Sequence, residues 1–189
     1  MKKNILRKFI FPLLLIQSSI FAQLPDSTGG PDSFGHRYTT SHAPGYTVDF
    51  VWEDASTGSV VQINDDDWIN GLSIGFTFNY YGTNYTTFSV SSEGFIGFSN
   101  LADDYEGIDT DGLGNTNLPN NIVAVAWDSL VLRAFADPSL DRKVYYRTTG
   151  TAPYRKLIVE WLAVRYNNET TSGNQDDFTF EIILNSSKL

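Results

Sequence analysis

Leu72–Asn100 reads LSIGFTFNYYGTNYTTFSVSSEGFIGFSN, and the fold turns on this stretch. Ile74, Phe76, Phe78 and Tyr80 fall on every second residue, with Gly75, Thr77 and Asn79 between them. A period of two marks a strand with one buried face, because successive side chains of an extended backbone point to opposite sides. YGTN interrupts the pattern, Tyr85 to Val90 resumes it, SSEG interrupts it again, and Phe95 to Phe98 completes it. Breaks this short join antiparallel neighbours, so the unit is a three-stranded meander with one aromatic face. That face is assigned to a core, as the inner wall of a two-sheet sandwich, and its density of Phe and Tyr is no sign of a ligand.

Working outward, VDFVWE at 48–53 and SVVQI at 59–63 read as strands before the meander. After it, NIVAVAW at 121–127 is apolar on both faces and is expected to be a central strand covered on both sides. SLVLRA at 129–134 reads as a continuation of that strand past a bend at Asp128, and RKVYYRTT at 142–149, YRKLIVEWLAVRY at 154–166 and FTFEIIL at 178–184 follow as further strands. The expectation is an all-β chain, a two-sheet antiparallel β-sandwich of about nine or ten strands. In the 154–166 segment, Leu157, Val159, Trp161 and Ala163 share one face, and Ile158, Glu160, Leu162 and Val164 the other. Glu160 is thus a carboxylate among apolar neighbours, expected to pair across strands with an Arg such as Arg147. Two-carboxylate hydrolysis with Glu181 is the lesser alternative, since it demands a specific separation.

The first 22 residues stand apart. Lys2, Lys3, Arg7 and Lys8 precede an apolar run from Phe9 to Ile16 and a small, polar approach to Ala22, the layout of a secretory signal peptide. The apolar run is well short of the ~20 residues that span a bilayer. Residues 23–45, rich in Pro, Gly, Ser, Thr and Asp, read as an exposed, flexible leader that contains both histidines, His36 and His42. Residues 46–189 are assigned to the sandwich.

The chain has 13 Lys and Arg against 22 Asp and Glu, a formal charge of −9. Without the four bases of the leading segment the balance is nine against 22, so the remainder is distinctly acidic. No basic stripe exists to neutralise phosphates, which argues against nucleic acid. There is no cysteine, which excludes thiol catalysis and Cys-bound metals and leaves stability to packing. Neither G-x-S-x-G nor a phosphate loop is present.

Two polar stretches flank the meander. Asp65, Asp66 and Asp67 stand directly before it and suit turn capping through backbone N–H groups, or a hard cation. After it, Leu101–Asn120 is mostly Asp, Asn, Gly, Thr and Pro. Asp109, Asp111, Asn115 and Asn117 alternate around Gly112 and Gly114 in the manner of a calcium loop, although Leu113 and Asn120 occupy two ligand positions. An Asx-rich solvated loop is the first reading and calcium the second.

The series SIGFTFNYYGTNYTTFSVSSEGFIGFS, LPNNIVAVAWDSL, VYYRT, RKLIVEWLAV and FTFEIIL resembles the nidogen-type (NIDO-like) extracellular β-sandwich modules of secreted bacterial surface proteins, over about Val48 to Leu184. The resemblance implies a non-catalytic recognition or adhesion module, secreted or at the cell surface, binding an extracellular protein or matrix partner. A carbohydrate-binding module is the alternative, with Tyr80, Tyr81, Tyr85, Tyr105 and Trp68 as candidate stacking rings and calcium as the one candidate cofactor. A glycoside hydrolase ranks third. Glu93 replaces the Asn that relatives carry before Gly94, which implies a different turn. Such modules also continue beyond FTFEIIL with one more strand, so the resemblance implies either a fragment of a longer surface protein or an edge open to a strand of another chain.

Overall fold

The computed structural model describes residues 28–41, 43, 51–101, 119–132, 143–166 and 177–186, and these contain eleven strands and no helix. They are β1 (Thr28–Gly29), β2 (Tyr38–Thr39), β3 (Ser59–Val61), β4 (Trp68–Tyr80), β5 (Thr83–Ser91), β6 (Phe95–Gly97), β7 (Ile122–Ala124), β8 (Leu130–Val131), β9 (Lys143–Thr151), β10 (Tyr154–Tyr166) and β11 (Phe178–Asn185). The chain divides into two compact units, residues 1–50 and 51–189.

In the first unit β1 and β2 pair as a short antiparallel hairpin. Asp32 organises its loop: one carboxylate oxygen accepts the N–H groups of Phe34 and His36, each at 2.9 Å, and the other meets His36 Nδ1 at 2.9 Å. The His36 ring is the main reason the Asp32 carboxyl is held down at about 2.

The second unit holds two antiparallel sheets. One has the order β4-β5-β6-β7, and the other β11-β10-β9-β3, with β8 paired to the last two residues of β10. The meander forms β4, β5 and β6 as its periodicity requires. Ile74, Phe76, Phe88, Val90, Ile96 and Phe98 turn inward and meet Val144, Leu157, Val159, Trp161, Ile182 and Leu184 of the other sheet. Each such side chain contributes on the order of 1.5–3 kcal/mol by leaving water. The architecture is an all-β sandwich, with nine strands in its two sheets among the described residues.

Polar bonds tie the sheets together at specific points. Trp161 Nε1 donates to the Ser91 carbonyl at 3.0 Å, and Thr148 Oγ1 to the Ile74 carbonyl at 2.7 Å. Arg155 Nη1 donates to the Gly75 carbonyl at 2.9 Å while its guanidinium lies 5.5 Å from the centre of the Phe76 ring. Gly75 itself has φ +82° at an irregularity in the β4–β5 pairing, so β4 bends toward β9 where a left-handed residue allows it.

Three expectations are corrected. Val51–Glu53 is not in a strand; this part of VDFVWE lies across the five-stranded sheet, where Glu53 N–H faces the Glu181 carboxylate. NIVAVAW supplies only the three-residue β7, half-buried and at the end of its sheet's order among the described strands, so it is not a central strand. A bulge between Trp161 and Val164, with Ala163 at φ +55°, reverses the alternation of β10. Val164 therefore enters the main core beside Trp161, whereas the unshifted pattern puts it with Ile158. At one end of the five-stranded sheet's order β11 has β10 as its one partner among the described strands.

Candidate functional site

The most exposed of the candidate rings described sits at the β4–β5 turn. Tyr81 and Gly82 have φ +45° and +80°, the left-handed pair of a type I′ hairpin, which matches the right-handed twist of its strands. Gly takes that conformation freely, but a tyrosine is strained in it. Tyr81 is 43% exposed and meets Tyr80 edge-on, with ring centres 4.7 Å apart and planes at 87°.

Behind this tip the rings are packed. Register places Phe78 opposite Tyr85 and Tyr80 opposite Thr83, so these four share a face. Phe98 lies at their centre, with ring centres 5.4 Å from Phe78, 4.6 Å from Tyr80 and 5.2 Å from Tyr85. Tyr80 Oη donates to the Ile122 carbonyl at 2.7 Å, which ties the hairpin to β7. Burial, with smaller contributions from Tyr81 and Tyr85, pushes the Tyr80 phenol up to about 12. On the other face Asn79 Nδ2 donates to Asn84 Oδ1 at 2.8 Å, a cross-strand rung that stiffens the tip.

Trp68 does not join this group. It is the first residue of β4 and Tyr80 the last, so about 40 Å of extended chain separates them. It is half-buried beside Ser91, and its N–H is held by Asp67 Oδ1 at 2.8 Å. Tyr105, Asp109, Asp111, Asn115 and Asn117 lie outside the described residues.

The carboxylates mostly serve the backbone. Asp65 Oδ1 accepts Leu132 N–H at 2.6 Å, Asp66 takes φ +50°, and Asp67 exchanges bonds with Ser92, so the DDD step is a turn laced to the residues that directly follow β5 and β8. Glu93 is 1% exposed; its two oxygens accept Leu130 N–H at 2.8 Å and the Ser92 hydroxyl at 2.7 Å. Burial is the main reason its carboxyl is pushed up, and the nearby Asp66 and Asp65 add to this. The left-handed residue of this turn is Gly94, at φ +81°, so Glu93 is a buried acceptor rather than a substitute for a left-handed Asn.

Glu160 is not paired as expected. Opposite it stand Tyr145 on β9 and Glu181 on β11, while Arg147 stands opposite Ile158 and donates from Nη1 to Thr57 Oγ1 at 3.3 Å. Glu160 Oε2 accepts Ala55 N–H at 2.6 Å, and Glu181 accepts Glu53 N–H at 3.3 Å through both oxygens. Desolvation leads in raising both carboxyls. Two carboxylates directly opposed on neighbouring strands were not legible from sequence, because register is a tertiary property. Glu160 is 2% exposed beneath residues 53–55, so the pair faces main chain and not an open cleft. No group of three or more metal-ligating side chains occurs among the described residues.

A family model described as NIDO related matches residues 37–188. The chain belongs to the NIDO-related family. Comparison with curated proteins and with solved structures gave no match. The NIDO-related assignment places the chain among extracellular-type modules of a non-catalytic kind. Within this NIDO-related domain no described helix is long and apolar enough to cross a membrane.

Proposed function

We propose that this NIDO-related domain is a secreted or cell-surface recognition module that binds an extracellular protein or matrix partner through the β4–β5 tip. The observation that carries this reading is Tyr81, an exposed ring held in a strained left-handed turn on a hairpin that is otherwise packed and cross-linked. Strain of that kind persists where the surrounding structure over-determines it, and a rigid exposed tyrosine supplies large contact area at low entropic cost. The carboxylates that could suggest chemistry are occupied by backbone N–H groups, which supports recognition over hydrolysis.

A glycan ligand is the second reading, through the same tip. Stacking on a sugar favours coplanar exposed rings, whereas Tyr81 stands nearly perpendicular to Tyr80, and Tyr80 and Tyr85 pack on Phe98. That geometry favours a protein partner.

Secretion is proposed through residues 1–22, and it is checked by expressing the whole chain and sequencing the N-terminus of the exported product, expected near Gln23. Recognition is tested by comparing the wild type with Tyr81→Ser on immobilised extracellular-matrix proteins and on neutral polysaccharides. Protein binding that Tyr81→Ser abolishes supports the first reading. Polysaccharide binding with the same loss selects the second, and equal binding by the two proteins removes the tip from recognition.

A further inference from the structure

The outer face of the five-stranded sheet carries a second, smaller apolar cluster, separate from the main core. Ala55 is fully buried there against Tyr145 and Ile158, with Val60, Leu162 and Ile183 around it. Ala55 belongs to residues 51–58, which cross this face and turn back into β3 through a Gly58 N–H bond to the Ala55 carbonyl at 2.8 Å. The beginning of the segment is open to solvent at Val51 and Trp52. Alternate N–H groups of an extended chain point the same way. Those of Glu53 and Ala55 point down at Glu181 and Glu160.

We propose that residues 51–58 form a proton-sensitive strap over the outer face of the five-stranded sheet, latched by the facing carboxylates of Glu160 and Glu181. Register fixes what surrounds the pair. On β10 the same face carries Lys156, which is ion-paired with Glu53 of the strap. On β9 it carries Tyr145 and Arg147 opposite Glu160 and Ile158, with Lys143 opposite Leu162. The strap adds Asp54, whose carboxylate accepts Ser56 N–H at 2.7 Å. Glu160 and Glu181 therefore stand directly across one strand boundary with Glu160 sealed from water, and Glu53 and Asp54 of the strap act on them at longer range.

Like charges directly opposed in a sheet repel, and removal from water strengthens the repulsion. A proton on either carboxyl relieves it and leaves an oxygen free to accept the strap's N–H. The closed strap thus holds that proton more tightly than the open one, where both groups are hydrated. The latch is tightest below the ordinary carboxylate range and loosens as pH rises from there through the raised values. Opening exposes Tyr145, Ile158, Leu162 and Ile183 with the two carboxylates beside them.

Residue-resolved amide exchange on the whole chain between pH 5 and 8, corrected for intrinsic rates, reads the latch directly. Protection of the Glu53 and Ala55 amides is expected to fall as pH rises, by up to about tenfold for each tenfold difference in proton affinity between closed and open strap. The β5 amides are expected to stay constant. Glu181→Gln keeps an acceptor and removes the opposing charge, so its strap protection is expected to be higher and to fall less steeply with pH, the remaining slope coming from the burial of Glu160. Glu160→Gln is the second variant, expected to move protection and slope in the same direction. A flat wild-type profile, an unchanged slope in both variants, or β5 amides that follow the strap would each overturn the proposal.

Discussion

Trp161 on β10 reaches across the sandwich and donates its indole N–H to the Ser91 carbonyl on β5 at 3.0 Å. The same ring is fully buried and stacks on Phe180 of β11, with ring centres 5.1 Å apart. One side chain thus joins three strands by packing and both sheets by a hydrogen bond. Trp161→Phe leaves the Ser91 carbonyl without its donor and opens a small void, for an expected loss of about 2–3 kcal/mol; Trp161→Ala is expected to cost about 3–5 kcal/mol. Urea unfolding followed by circular dichroism measures both.

Much of this was legible in the residues themselves. The meander's alternation located β4, β5 and β6, and the 154–166 pattern located β10 with both ends. What failed depended on pairing. VDFVWE alternates like a strand, yet its described residues are held by side chains of β10 and β11, 100 or more positions away in sequence. Ala163 at φ +55° resets the phase of β10, and nothing in LIVEWLAV signals a bulge. Glu160 and Glu181 look unrelated until β10 and β11 are set in register. For the candidate site, YYGTNY signalled a turn, but which ring packs on Phe98 and which is the more exposed follows from the type I′ geometry.

Gly75 tests the bend in β4. Its φ is +82°, and an added Cβ would lie 2.9 Å from both Oγ1 and Cγ2 of Thr148. Gly71 has φ +77° with no atom within 4 Å of the same position. Gly71→Ala is therefore expected to cost only the left-handed backbone penalty, about 1–2 kcal/mol, and Gly75→Ala about 1–3 kcal/mol more for the clash. Equal losses in chemical denaturation would show that Thr148 yields freely at this contact.

Glu93 sets a pH dependence with a definite sign. Its folded carboxyl is raised, chiefly by burial, while the unfolded chain ionises it in the ordinary range of about 4.3. The folded state then binds more protons between those two values, so stability falls as pH rises through them and is not penalised below the unfolded value. Glu93→Gln, which keeps an acceptor for Leu130 N–H, is expected to flatten the Tm profile between pH 4.5 and 8. Glu93→Ala removes that acceptor and is expected to lose about 1–3 kcal/mol near pH 4.5, a loss that shrinks as pH rises and the buried carboxyl of the wild type ionises.

Tyr81 separates stability from recognition. At φ +45° in the first position of a type I′ turn, asparagine or glycine fits better than any aromatic residue. Tyr81→Asn should relieve backbone strain and lose the partly exposed edge contact with Tyr80. A gain of about 0.5–1 kcal/mol is expected, read as a higher Tm. On the recognition role proposed for the tip, the same variant loses binding because its exposed ring is gone. A more stable protein that no longer binds is the combination expected if the turn retains tyrosine for contact. A less stable variant would instead make the Tyr80–Tyr81 contact a structural requirement of the hairpin, and the strain at residue 81 would then have a packing cause.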